Sequence, residues 1–230
     1  MTGLPTSIPK RKIFDYSFLA FGLLIQVVTY AITIRHSPLA LSPLSLISGC
    51  CGVFSVCLAA QGNIFTYLFG FGQVLTFTWL CWTQRFYGEI AINAYYFVTM
   101  IYGVFAWRQR LQGQTKQVST RRLRPLYLAI ILILTMLASW LVGWGLASFT
   151  DDTQPYLDAF TTVPALVAQV LMILVYREHW FIWLAVDILS VALWLRAGDY
   201  CMTAQYVFWC LNCLYGLYKW KELEKSHLSQ

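Results

Sequence analysis

The chain has 230 residues, of which 59% are hydrophobic, 17% aromatic and only 11% charged, with a formal net charge of +6. A soluble domain carries about 25% charged residues. At a mean hydropathy of +0.60 so few charges cannot cover a water-facing surface, which excludes a soluble enzyme and a nucleic-acid-binding domain. The chain reads as an all-α integral membrane protein.

Eight apolar segments follow in chain order, at 14–34, 39–60, 64–84, 88–107, 126–149, 156–176, 180–197 and 200–220. Each is close to the ~20 residues that a ~30 Å hydrocarbon core requires. The first follows Lys10, Arg11 and Lys12. It is longer than a signal-peptide core and lacks a clear small-residue cleavage site, so it reads as a retained helix. Segments three and four are separated only by residues 85–88. The loop RQRLQGQTKQVSTRRLRP after segment four is basic and has no aromatic residue to stack on a base, so it reads as a juxtamembrane loop touching anionic lipid. All seven cysteines lie in or at the ends of apolar segments, where cysteine acts as a small hydrophobe. The Cys210–Cys213 pair has no second pair or nearby histidine to complete a metal site.

Eight spans with an inside N-terminus place Lys10, Arg11, Lys12, Arg108, Arg110, Lys116, Arg121, Arg122, Arg124, Arg177, Lys219, Lys221 and Lys225 on the inside. Arg35, Arg85 and Arg196 fall outside, which accounts for all 16 Lys and Arg. That bias is what the positive-inside rule demands, and an odd number of spans would split the two basic termini. Both termini are expected on the cytoplasmic side.

An internal repeat runs at an offset of 113 residues. Tyr102-Gly103-Val104-Phe105-Ala106-Trp107 matches Tyr215-Gly216-Leu217-Tyr218-Lys219-Trp220, Tyr87 matches Tyr200, and Tyr96 falls on Trp209. Segments two to four thus correspond to six to eight, with segment five as connector and segment one as an extra. Each repeat has three spans and one span separates them, so both point the same way, around an axis along the membrane normal. The expected organisation is 1–38 for the extra helix, 39–110 for the first repeat, 111–155 for the basic loop and linker helix, 156–221 for the second repeat and 222–230 for a tail.

The seventh segment carries Trp180, Trp183 and Asp187 at i, i+3, i+7, within roughly 60° on a helix surface. A carboxylate there costs roughly 2.5–3.5 kcal/mol on insertion scales. Trp180 alone fits an aromatic belt, and Asp187 alone fits interhelical glue. Together, two indoles and an acid offer stacking for an aromatic ring and attraction for a cation. The eighth segment adds Gln205, Trp209, Asn212 and Gly216 along one face, with Tyr215 beside it. In the first repeat Tyr96, Thr99 and Gly103 stand at the equivalent places, Glu89 and Asn93 lie near that face, and Gln73 is one position off Asp187. The polar residues cluster in segments three, four, seven and eight, as a lined cavity would require.

All lysines and histidines lie outside the spans or, as Lys219 does, at the very end of one, which removes an intramembrane Schiff base and histidine-ligated haem. No Gly-rich phosphate loop, HExxH or GxSxG is present, so neither ATP hydrolysis nor a resident cofactor is expected. Asp187 and Glu89 are the acids read as lying within the bilayer, so an intramembrane enzyme or sensor has thin support, and no ion relay is evident.

The W-x-x-W-x-x-x-D at Trp180, Trp183 and Asp187, the Tyr-Gly-x-x-x-Trp helix ends and the segment QRFYGEIAINAYYFVTMIYG resemble the PnuC family of bacterial vitamin transporters. The resemblance covers nearly the whole chain. It implies two three-helix bundles joined by one helix, as in the sugar-transporting SWEET proteins, and passive uptake of nicotinamide riboside across the bacterial inner membrane, with trapping by a separate kinase. Thiamine, riboflavin and deoxynucleosides are carried by relatives of the fold, and a homo-oligomer is left open. The site residues it implies are Trp180, Trp183, Asp187, Gln205, Trp209, Asn212 and Tyr215, with Gln73, Asn93 and Tyr96 from the first repeat. Tyr67, Gly70 and Val74 stand where the second repeat has Trp180, Trp183 and Asp187, so the site is expected to be asymmetric.

Overall fold

The computed structural model describes residues 8–36, 43–84, 87–111, 116–151, 154–197 and 200–228. These form eight α-helices: α1 (Ile8–His36), α2 (Pro43–Ala60), α3 (Thr66–Gln84), α4 (Tyr87–Arg108), α5 (Pro125–Phe149), α6 (Pro155–Ile173), α7 (His179–Ala197) and α8 (Tyr200–Leu228). No strand longer than an isolated bridge occurs among the described residues. Six of the helices are long and apolar enough to cross a bilayer. The other two, α3 and α8, have similar or greater length but carry amides and hydroxyls in place of aliphatic side chains. Some of those hydroxyls fold back on their own helix, as Thr76 does by donating to the Gly72 carbonyl at 2.7 Å.

Proline opens α2, α5 and α6, where its missing N–H costs nothing. The C-termini of α2 and α6 are closed by the same device. Gly62 N–H donates to Ala59 O and Asn63 N–H to Leu58 O, while Val175 N–H donates to Met172 O and Tyr176 N–H to Leu171 O. Gly62 and Val175 are left-handed, at φ 65° and 64°, as this helix stop requires. Glycine is suited to that conformation. A valine pays about 1–2 kcal/mol for it, offset by the full burial of its side chain. This turn is why the sixth helix stops at Ile173 instead of reaching residue 176. The eighth helix, by contrast, continues two turns beyond residue 220.

Packing follows the repeat. Helices α2, α3 and α4 pack in succession, as do α6, α7 and α8, and the two sets meet where α2 touches α8 and α4 touches α6. A shift of 113 residues turns one of those seams into the other. Trp107 donates its indole N–H to Met172 O at 3.1 Å, and Trp220 donates to Ala59 O at 2.9 Å. Each donor and each acceptor is the other's equivalent in the repeat. Helix α1 rests on α2 and α8, and α5 on α6. The offset extends to them too, since α5 ends at Phe149, the equivalent of His36 at the end of α1.

The loop before α5 is a structural strap. Ile64 N–H donates to Lys116 O and Val118 N–H to Gly62 O, on the α2–α3 turn. Arg121 N–H donates to Val175 O and Arg177 N–H to Arg121 O, on the α6–α7 turn. The Thr120 hydroxyl donates to Trp220 O at 3.2 Å. The chain therefore crosses from one repeat to the other and bonds the equivalent turn in each. Above it the main core gathers residues of both repeats, with Trp107, Val118, Val175 and Trp220 at 0% exposure.

Candidate functional site

The stripe on α7 is buried in unequal degrees. Trp180, one residue past the turn, is 4% exposed. Its ring lies edge-on to Trp220 and beside His179, at centroid distances of 6.0 and 4.5 Å. Its far side covers Gly216, where a Cβ would come within 2.5 Å of Cε2. The first repeat copies this arrangement, with Tyr67 edge-on to Trp107 and a Cβ at Gly103 meeting Tyr67 Cε1 at 2.5 Å. Trp180 and Tyr67 are thus wedges at the turn end of the two repeats, and Trp180 Nε1 and Tyr67 OH have no partner among the described residues.

Trp183 lies one turn further along, half-buried, packed against the central core and against the α6–α7 cluster of Ala168, Leu171 and Ile182. Its equivalent is Gly70, whose missing side chain is replaced by Met100, with Cε 2.9 Å from a Cβ built there. Where the first repeat has glycine against methionine, the second has tryptophan at Trp183 and the small Cys213 at the equivalent of Met100. The indole is therefore unique to one side of the core.

Asp187 is 6% exposed and accepts the Cys213 thiol on Oδ2 at 3.3 Å. Among the described residues no lysine, arginine or histidine pairs with it. A buried carboxylate answered only by a neutral thiol has most of its charge uncompensated. Asn212, the residue before Cys213, is 2% exposed and donates from Nδ2 to Val56 O at 3.2 Å. Its Oδ1 is buried without a partner, which leaves an acceptor in need of a donor.

The remaining expected residues divide by neighbour. Tyr96 joins Trp180, Trp183, Cys213 and Tyr215 at the central core. Asn93 is buried on α4, and Gln205 is half-buried on α8. Gln73 packs on α2, where its amide nitrogen is 2.9 Å from a Cβ built on Gly52. Trp209 belongs to a separate cluster with Val53, Cys57 and Phe208 at the α1–α2–α8 seam. The Tyr215 hydroxyl is committed to Asp15 of α1 at 2.6 Å, and Lys219 pairs with the same carboxylate at 2.9 Å. The side chain of Glu89 lies outside the described residues, as does Arg85.

Three participants left no motif in the sequence. Helix α2 meets both Gln73 and Asn212 through Gly52 and the Val56 carbonyl, although the polar residues pointed only to segments three, four, seven and eight. His179 is fully buried, with Nδ1 donating to Tyr176 O at 2.7 Å and its ring against Trp180 and Trp220. Glu178 is 4% exposed and accepts from Leu123 N–H at 3.1 Å, tying the strap to the start of α7. Two larger grooves lie elsewhere: about 770 Å³ between α5, α6 and α7, and about 550 Å³ between α1 and α8. Neither contains Trp183 or Asp187; the first is lined mainly by apolar side chains and suits the lipid boundary, and the second holds the Asp15–Lys219 pair, already satisfied within it.

Residues 42–222 match the sequence model of a family described as nicotinamide mononucleotide transporter. The chain is 31% identical to the nicotinamide riboside transporter PnuC of Haemophilus influenzae, over 93% of this chain and 92% of that one. It is also 31% identical to the nicotinamide riboside transporter PnuC of Neisseria mucosa, over 96% and 88%. The crystal structure of the vitamin B3 transporter PnuC superposes with a TM-score of 0.76 at 28% identity, covering 93% of each chain.

Proposed function

The chain belongs to the nicotinamide mononucleotide transporter family, and from that premise we propose that it carries nicotinamide riboside, not the mononucleotide, by facilitated diffusion between its two repeats. One observation carries the choice. Asp187 is a buried carboxylate with a thiol as its partner and no cation. The riboside is a pyridinium cation, which supplies the missing positive charge. The mononucleotide adds a doubly ionised phosphate, for which such a site offers repulsion. Among the described residues no lysine or arginine pairs with Asp187, and Lys219, inside α8, is taken up by Asp15, so none stands beside Asp187 to receive that phosphate.

In this reading Trp183 stacks on the pyridinium face, and Asn212 Oδ1 accepts from the carboxamide NH2 or a ribose hydroxyl. Gln205, Tyr96, Asn93 and Gln73 border the path. Trp180, Trp209 and Tyr215 support it from behind, through the contacts described above. The residues of the site thus come from 39–110 and 156–221. Basic residues concentrated on one side support a reading in which both termini face the cytoplasm, in a bacterial inner membrane. Phosphorylation by a separate kinase then keeps the flow inward.

The test is uptake of labelled nicotinamide riboside by purified protein in liposomes without an ion gradient. The label should equilibrate, with a rate that an imposed sodium or proton gradient leaves unchanged, and the mononucleotide should compete poorly. No uptake above empty liposomes would sink the reading, and preferential entry of the mononucleotide or of thiamine would reassign the substrate.

A further inference from the structure

The end of the bundle that faces the cytoplasm in this reading is closed on the repeat axis. Trp107 and Trp220 are both fully buried and meet edge-on at 6.0 Å. Each reaches across to the opposite repeat and donates its indole N–H to a carbonyl in the last turn of α2 or α6. These carbonyls already accept the N–H of Gly62 or Val175 in the turn, and the indole takes up remaining acceptor capacity. The wedges Tyr67 and Trp180 flank the pair, and Val118 of the strap is fully buried in the same core. A solute held at Trp183 and Asp187 has this aromatic layer between it and the turns.

We propose that the crossed indoles of Trp107 and Trp220 are the cytoplasmic gate, and that the 116–121 strap must release the first repeat's turn for that gate to open. It rests on the transport reading above. The side on which release occurs follows from the unequal grip of the strap. On the second repeat Arg121 exchanges two backbone hydrogen bonds with the turn, Thr120 bonds Trp220 O, and Leu123 N–H donates to the Glu178 carboxylate. Arg177 of that turn pairs with Glu178 and with Glu224 of α8. On the first repeat the strap has two neutral backbone bonds to the turn, a third from Ser119 N–H to Arg110 O, an exposed amide contact from Gln117 to Gln61 O at 3.4 Å and Lys116 over the Phe65 ring at 4.4 Å, with no hydrogen bond to a carboxylate. Charge-assisted bonds are roughly twice as strong as neutral ones, so the strap stays with α6–α8 when the two repeats separate.

Two cysteine pairs test the direction of release. Asn63 and Gln117 are antiparallel bridge partners, as Arg121 and Tyr176 are parallel ones. Bridge partners lie about 4.5–5.5 Å apart at Cα, within reach of a disulfide. Oxidised Asn63→Cys/Gln117→Cys should transport at least about tenfold more slowly than its reduced form, and recover with reductant. Oxidised Arg121→Cys/Tyr176→Cys should stay within about twofold of its reduced form. Undiminished transport by the oxidised first pair overturns the strap's role.

A second measurement needs no substrate. In inside-out vesicles, Trp107→Phe and Trp220→Phe keep an aromatic ring and lose the N–H. Labelling of Cys213 by an impermeant maleimide, read by peptide mass spectrometry, should rise about fivefold per bond removed. An unchanged labelling rate overturns the gate. Faster labelling with no riboside uptake by any variant would instead leave the gate standing and fault the substrate.

Discussion

Replacing Asp187 by asparagine removes charge while keeping shape, including an oxygen able to accept the Cys213 thiol at 3.3 Å. Two effects of opposite sign follow. In the free protein, a charge at this depth costs roughly 2.5–3.5 kcal/mol, and the side chain is only 6% exposed. Asp187→Asn should therefore be more stable by about 1–3 kcal/mol, after allowing for a weaker thiol bond. For a chain of this size that raises Tm by about 2–4 °C per kcal/mol. In the complex, a pyridinium about 5 Å from the carboxylate gains about 3 kcal/mol at an effective dielectric of ~20. Desolvation consumes part of that gain. The remaining 1.5–3 kcal/mol, roughly, is a loss of about 10- to 100-fold in affinity.

Calorimetric titration of detergent-purified protein measures the affinity, with thermal unfolding beside it. The reduced riboside, whose dihydropyridine ring is neutral, is the control ligand and should lose little. A stabler variant that binds the cation more weakly and the neutral analogue equally well is the expected result. Unchanged affinity for the cation, or equal losses for both ligands, would refute a counter-ion role and leave Asp187 as interhelical glue.

Trp183→Ala should weaken riboside binding about 10- to 30-fold, the worth of a desolvated cation–π contact. Trp180→Phe should stay within about threefold, because it keeps a ring over Gly216 and removes an indole N–H that has no partner; equal losses in titration would erase the distinction. Gly216→Ala and Gly103→Ala each place a Cβ 2.5 Å from a ring carbon. Each should lower stability by about 1–3 kcal/mol, seen as earlier melting in detergent. Gly145→Ala, with nothing within 4 Å, is the control and should gain about 0.5–1 kcal/mol.

Hydropathy located all eight helices, because even α3 and α8, which carry amides and hydroxyls, keep long runs of apolar and aromatic side chains. The Tyr-Gly-x-x-x-Trp repeat was also legible, because Gly103 and Gly216 are the only residues that fit beneath Tyr67 and Trp180. The chemistry of Asp187 was visible as an expensive residue. What stayed hidden is carried by the backbone. Any residue at positions 59, 172, 116 or 121 would present the same carbonyl, so neither the indole acceptors nor the strap left a signature. The stop at Val175 was hidden for a related reason, since its equivalent Gly62 signals a left-handed turn and a valine does not. Trp180 and Trp183 differ by a single turn in sequence, yet one wedges against glycine and the other has glycine as its counterpart in the other repeat. Only three-dimensional packing separates those roles.

The end of α5 falls where a copy of α1 would end, so the period of the chain spans four helices. Four crossings return a chain to the side it started from. Doubling such a unit needs no change of orientation, and each half alone would already be correctly inserted. Two separate identical halves could pair into the same architecture, but they would have to agree at every position. Two copies of Asp187 would then stand in one core, doubling the cost of burying a charge. Joining the halves in one polypeptide lifts that constraint. It lets the halves differ, with Gly70 and Val74 in one where the other has Trp183 and Asp187, so that the buried charge is carried once.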